Sequence, residues 1–146
     1  MNGNPEEAVF ESNWGLGQTV VAGRVSPDQF VVNKPTRTIR ERRVGRKERS
    51  LVLLAGGGTH EREDPRHDQL SLQDGQVQAL TEALIAIERR HHNPIDMEWA
   101  FAAGKLYVLQ ARPIATPAKA RPAAAKTLGA LHGILERIKG LFKGHT

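Results

Sequence analysis

Residues 94–113 read PIDMEWAFAAGKLYVLQARP, and the alternation within them decides how the chain is read. Side chains of a strand alternate between two faces. Asp96, Glu98 and Ala100 therefore share one face, and Met97, Trp99 and Phe101 the other. Ala103-Gly104-Lys105 separates them from a second alternating run, so the stretch reads as a β-hairpin. A three-residue loop there sets Ala102 opposite Leu106, Phe101 opposite Tyr107 and Trp99 opposite Leu109, which makes one face wholly apolar. The other face then sets Glu98 opposite Gln110 and Asp96 opposite Arg112. A two-residue loop would mix the faces, so the three-residue register is the expected one.

That register gathers two carboxylates, an amide and a guanidinium on one patch. Carboxylate and amide oxygens are hard ligands suited to Mg²⁺. An arginine fork suits phosphate oxygens. The four groups together suit a metal–triphosphate. The same spacing equally describes a solvent-facing hairpin with a cross-strand Asp–Arg pair, and spacing alone leaves both readings open.

Upstream lies the clearest helix. Val77, Leu80, Leu84 and Ile87 recur at helical spacing on one face. Ser71 and Asp74 stand at capping-box spacing before it, and Arg89, Arg90, His91 and His92 suit the negative end of its dipole. Asn93-Pro94 ends it. Strands are expected over 30–33, 36–44 and 49–54. The apolar LVLLA of the last suggests a central strand. Residues 1–10 read as a lead-in. Residues 11–25 read as a glycine-bearing loop into a brief helix at 18–22, and 56–69 as an exposed polar loop. Gly15 and Gly17 suit either a close approach of backbone amides to phosphate or a tight turn.

The composition narrows the function classes. The chain has 146 residues, 39% of them hydrophobic, which is enough for one domain with a core. No apolar run reaches about 18 residues, so no membrane span is expected. The opening MNGNPEEAVF has no basic-then-apolar leader pattern, and cysteine is absent, so disulfides and thiol catalysis are excluded. The cytoplasm is the expected compartment. The net charge is +5, but residues 1–116 hold 15 basic and 15 acidic residues, so the excess lies wholly in 117–146. No nucleic-acid partner is expected for a neutral body. Eight Lys and Arg between Lys34 and Arg49 form a basic run, read as a solvated strand pair in preference to a polyanion track. His91 and His92 point about 100° apart on a helix and chelate poorly.

Three parts are expected: a body over 1–116, a Pro/Ala/Lys linker over 117–126, and a basic amphipathic helical tail over 127–146. Leu128, Leu131, Leu135, Ile138 and Phe142 lie on one side of the tail. It suits contact with an anionic membrane or a partner groove, although Gly129, Gly133 and Gly140 weaken the helix.

Four segments taken in order resemble one family: ESNWGLGQTVVAGRVSPDQFVV (11–32), the helix ahead of His91-His92, PIDMEWA (94–100) and LYVLQARP (106–113). They are similar to the C-terminal half of the ATP-grasp nucleotide-binding domain of the phosphoenolpyruvate-utilising dikinases. These include enzymes of the phosphoenolpyruvate synthase (pyruvate, water dikinase) type. The resemblance implies an α+β fold, a mostly antiparallel sheet with packed helices. It implies ATP and Mg²⁺ as ligands, with Glu98 and Gln110 on the metal, Arg112 on the transferring phosphoryl oxygens and Asp96 orienting the cluster. Glu11, Gly15 and Gly17 match the family's glycine segment near the site, while Gln18 departs from its acidic residue. In this family ATP phosphorylates a histidine carrier, which then serves pyruvate or another acceptor. No segment matches the family's N-terminal half or its phosphohistidine motif. The resemblance therefore implies a truncated or split piece that works with a separate chain supplying both. The alternatives are a non-catalytic remnant and an interaction module acting through the basic tail.

Overall fold

The computed structural model describes residues 4–18, 22, 23 and 25–114. The linker and helical tail expected beyond residue 116 lie outside them. So do residues 19–21 of the expected brief helix, although the Ala22 amide donates to the Gln18 carbonyl at 3.0 Å.

The element order is β1 (Glu7–Ser12), β2 (Asp28–Asn33), β3 (Thr38–Arg43), β4 (Arg49–Leu53), β5 (Thr59–Glu63), α1 (Asp74–His91), β6 (Ile95–Ala102) and β7 (Lys105–Pro113). The fold is α+β: β1-β2-β3, β4-β5 and β6-β7 form antiparallel sheets, and α1 is the described helix.

The core follows from alternation on two strands and one helical stripe. Ala8 and Phe10 of β1 face Val32 and Phe30 of β2, all four buried. Val77, Leu80 and Leu84 of α1 close over them, with Leu72 and Ile95. Burying each such side chain contributes roughly 1.5–3 kcal/mol. On the next turn the Thr81 hydroxyl is buried and donates to the Val77 carbonyl at 2.8 Å, so its polarity is satisfied inside the helix. Met97, Trp99, Phe101, Leu106 and Ala111 of β6 and β7 pack against the same core.

Ion pairs hold the helix to the first sheet. Lys34 pairs with Glu88 at 2.8 Å, Arg37 with Glu82 at 2.7 Å and Arg42 with Asp74 at 2.7 Å. Asp74 sits in the first helical turn, where the dipole also favours a carboxylate. Arg42 holds its pKa below the usual range, chiefly by hydrogen bonding. The basic run is therefore a paired surface: Arg40, Arg43, Arg46 and Arg49 meet Glu7, Glu41, Glu48 and Glu61.

The eighth cation of the run, Lys47, is fully buried against Asp28, which is equally inaccessible. Both Asp28 oxygens are saturated. Oδ1 accepts from Lys47 Nζ and from the Gly45 amide at 2.8 Å. Oδ2 accepts from the Ser71 amide at 2.7 Å and the Ser71 hydroxyl at 2.6 Å. Lys47 also donates to the Gly45 carbonyl at 3.0 Å, and the Ser71 hydroxyl lies 2.7 Å from that of Ser12. One carboxylate thus ties the start of β2, the β3–β4 connection, the entry to α1 and the end of β1. Gly45 is required there, because a Cβ would stand 2.2 Å from the carbonyl oxygens of Ser26 and Pro27.

Several expectations are corrected. The lead-in contains β1. LVLLA is not central: among the described strands β4 pairs with β5 alone, beyond a single bridge to Gly15, its residues Leu51–Leu53 are half-buried, and Leu54 is half exposed. The expected loop over 56–69 holds β5, whose THERE sequence is polar and carries no alternation to betray a strand. Ser71 does not cap the helix. Its side chain is committed to Asp28, and the capping box uses Gln73 and Gln76, with the Gln76 side chain accepting from the Gln73 amide at 2.9 Å.

A second buried carboxylate anchors the connection after β5. Asp64 takes a two-pronged contact from Arg66 at 2.8 and 2.9 Å, and that guanidinium lies 4.0 Å over the Trp14 ring. Trp14 returns its indole N–H to the Arg66 carbonyl at 3.0 Å. The Arg66 hydrogen bonds hold the Asp64 carboxyl far below the ordinary range, against its burial.

Two outcomes follow. In urea unfolding, Lys47→Met leaves Asp28 buried without its cation and is expected to destabilise by about 3–5 kcal/mol. Arg46→Met, which removes an exposed pair, should stay within about 1 kcal/mol. The unfolded chain protonates Asp64 near pH 4 while the folded chain does not, so unfolding takes up a proton there and stability falls as pH drops below about 4. Asp64→Asn should be less stable at neutral pH and should lose that part of the acid slope, as read from thermal midpoints between pH 3 and 7.

Candidate nucleotide site

The hairpin β6–β7 presents one face to the core. Ile95 is buried, and Trp99 meets Phe101 edge-on, with ring centroids 5.9 Å apart at 72°. With period-two alternation, burying Met97 and Trp99 forces Asp96 and Glu98 to the opposite face. Asp96 stands opposite Arg112, and Glu98 opposite Gln110, as the sequence reading expects.

The route to that pairing differs from the expected one. The loop has two residues, Ala103 and Gly104, both with left-handed backbone (φ 49° and 74°), and Ala102 faces Lys105. This is the turn conformation whose twist matches a two-residue hairpin. The register then shifts between Glu98 and Trp99: Trp99 faces Val108 while Glu98 faces Gln110, leaving Leu109 as the extra residue of a bulge. A two-residue loop without the bulge would have set Glu98 opposite Leu109. Because the loop has two residues, Phe101 meets Leu106 instead of Tyr107, and Tyr107 pairs with Ala100 on the polar face.

Arg112 Nη2 donates to Asp96 Oδ2 at 3.0 Å and lies 3.9 Å from Glu98 Oε1. All three side chains are 38–49% exposed, so the cluster is open to solvent. Two carboxylates and one guanidinium leave it with a net charge of −1. A polyphosphate would be repelled by such a patch unless a cation came with it.

Glu98 and Gln110 supply two hard oxygens side by side. Mg²⁺ typically takes one or two protein carboxylates and completes its shell with water and phosphate. The donor set fits a metal that arrives with phosphate. Among the described residues no group of three or more His, Asp or Glu side chains forms a self-sufficient metal cage.

The other candidates lie elsewhere. Glu11 stands on β1 opposite Gln29, in a different sheet. Gly15 has φ 75° and forms a parallel bridge with Leu51, where a Cβ would come within 2.3 Å of the Leu51 carbonyl oxygen. The next amide, Leu16, donates to that same carbonyl at 2.8 Å. Gly15 therefore serves close backbone packing against β4. Gly17 has open space around its Cβ position. His91 ends α1 and His92 is its left-handed C-cap, so neither joins the hairpin patch.

Sequence reasoning missed two features here. Tyr107 reaches the polar face because the loop has two residues and not three; the bulge lies beyond it and restores the Glu98–Gln110 pair. The Asp64–Arg66 clamp on Trp14 depends on residues more than fifty positions apart.

Comparison with known proteins bears on this geometry. The family model of the pyruvate phosphate dikinase AMP/ATP-binding domain matches residues 1–130. A probable phosphoenolpyruvate synthase of Methanocaldococcus jannaschii is 41% identical over 120 residues, which covers 81% of this chain and 10% of that protein. One of Methanothermobacter thermautotrophicus is 35% identical over 139 residues, covering 88% of this chain and 20% of that protein. The phosphoenolpyruvate synthase of Escherichia coli is 38% identical over 122 residues, covering 74% and 15%. The chain thus spans between a tenth and a fifth of the length of these relatives. With the acid–amide–guanidinium face of its hairpin inside the matched segment, the chain belongs to the pyruvate phosphate dikinase AMP/ATP-binding domain family.

Proposed function

We propose that the chain forms the C-terminal part of an ATP-grasp nucleotide site and acts in ATP-dependent phosphoryl transfer of the phosphoenolpyruvate synthase type. The observation that carries this reading is the cross-strand pairing of Asp96 with Arg112 and of Glu98 with Gln110 on the exposed face of one hairpin. Family membership supports ATP as the ligand.

Glu98 and Gln110 hold Mg²⁺ through a carboxylate and an amide oxygen. When bound, the metal neutralises phosphate charge and turns the patch from net repulsive to attractive. Arg112 places its guanidinium on the oxygens of the transferring phosphoryl group, where negative charge is spread in the transition state. Asp96 fixes the Arg112 fork through the 3.0 Å contact and prevents it from folding onto Glu98. Glu11, Gly15 and Gly17 stand off the hairpin, in the segment that the family resemblance puts near the site. Gly15 shapes the backbone against β4, and Gly17 leaves the approach open.

Phosphoryl transfer also needs cations from a second nucleotide-binding half and an acceptor. In this reading the acceptor is a histidine carrier that then serves pyruvate. Both are supplied by polypeptide outside these 146 residues, in keeping with the far greater length of the relatives.

The test is calorimetric titration of the chain with ATP. Binding is expected with Mg²⁺ and is expected to vanish when EDTA replaces it. Glu98→Ala and Arg112→Ala should each weaken Mg-ATP binding at least about tenfold, the scale of losing one charge-assisted contact. A hairpin whose charges serve only one another would show no nucleotide binding and no dependence on either substitution.

A further inference from the structure

The two-residue turn changes what the polar face contains, and the bulge at Leu109 keeps Gln110 on it. Beyond the Asp96–Arg112 and Glu98–Gln110 pairs, the next rung toward the turn is Ala100–Tyr107 and the last is Ala102–Lys105. These four rungs lie on one face of the hairpin, successive rungs being about 6.8 Å apart along β6 at two residues each. Tyr107 is half-buried, and the residues opposite Tyr107 and Lys105 are alanines. An alanine side chain is too short to lie across the ring of the tyrosine opposite it.

We propose that Tyr107 is the contact for the nucleoside end of the ligand, its ring packing on the base or ribose. This rests on the reading of the hairpin as a nucleotide site. With the terminal phosphate at Arg112 and the metal at Glu98–Gln110, the inner phosphates point toward the turn. The nucleoside follows one rung on, which is where the aromatic ring stands. A polar face built for phosphate alone has no use for an aromatic side chain. A ring offers a flat apolar surface and a hydroxyl, which suit a base and a ribose.

The chain contains a single tyrosine, so ring-¹³C tyrosine labelling reports on Tyr107 without assignment. Mg-ATP is expected to shift its ring signals, whereas Mg-tripolyphosphate, bound with the same dependence on Glu98, should leave them nearly unmoved. In calorimetry, Tyr107→Ala should weaken Mg-ATP roughly tenfold, the usual scale of losing a base–aromatic stack, while Mg-tripolyphosphate stays within about twofold. Tyr107→Phe should retain most of the Mg-ATP affinity. Equal tyrosine shifts with both ligands, or a Tyr107→Ala loss equal for both, would overturn the assignment and leave the phosphate site standing. So would binding of both with a silent tyrosine. If the wild-type chain binds neither ligand, the nucleotide reading itself fails, and this inference with it.

Discussion

The Asp28 carboxylate, sealed from water with Lys47, is the constraint on which the remainder of the fold depends. Taking two charges out of water is expensive, and only a complete set of partners offsets it. Here the set is complete, because each oxygen accepts two hydrogen bonds. Those donors come from two separate connections, and the Ser71 hydroxyl meets Ser12 at the end of β1. The geometry that satisfies the charge therefore also fixes where β1 ends, how β3 returns to β4 and where the chain enters α1. Apolar packing of Phe10, Phe30, Val77 and Leu80 supplies most of the stabilisation, but it is non-directional. The carboxylate supplies direction.

The helix α1 passes that order on to the hairpin. Its buried stripe meets the first sheet, it also touches β6 and β7, and three of its acids are claimed by cations of the β2–β3 region. The hairpin is thereby held by one face only. Its other face stays open, and alternation places every polar group there. The polar side chains of that face therefore stand on strands, with a packed core behind them, and such a backing holds side chains more precisely than a loop does.

The bulge is where local pattern and tertiary geometry part. A tight two-residue turn and a flat ladder would have paired Glu98 with a leucine. The two-residue turn sends Tyr107 to the polar side, and one additional residue in β7 restores the acid–amide pair. Pairing of Glu98 with Gln110 was legible from the sequence because the expected three-residue loop and the observed two-residue loop with a bulge give the same pair. The position of Tyr107 was not legible, because a three-residue loop and a two-residue loop with a bulge leave the same residues in the far half of the ladder.

The sequence by itself determined the hairpin and its two polar rungs, the amphipathic helix with its Val77–Leu80–Leu84 stripe, and the resemblance that the family match bears out. These rest on short-range periodicity, which is written residue by residue. The tertiary structure alone decided that Lys47 is buried rather than part of a solvated run, that Ser71 serves Asp28 rather than the helix, and that THERE is a strand. In each case the deciding partner lies far along the chain or carries no pattern of its own. A charged or polar side chain does not announce its burial, because its burial depends on whether distant donors arrive to satisfy it.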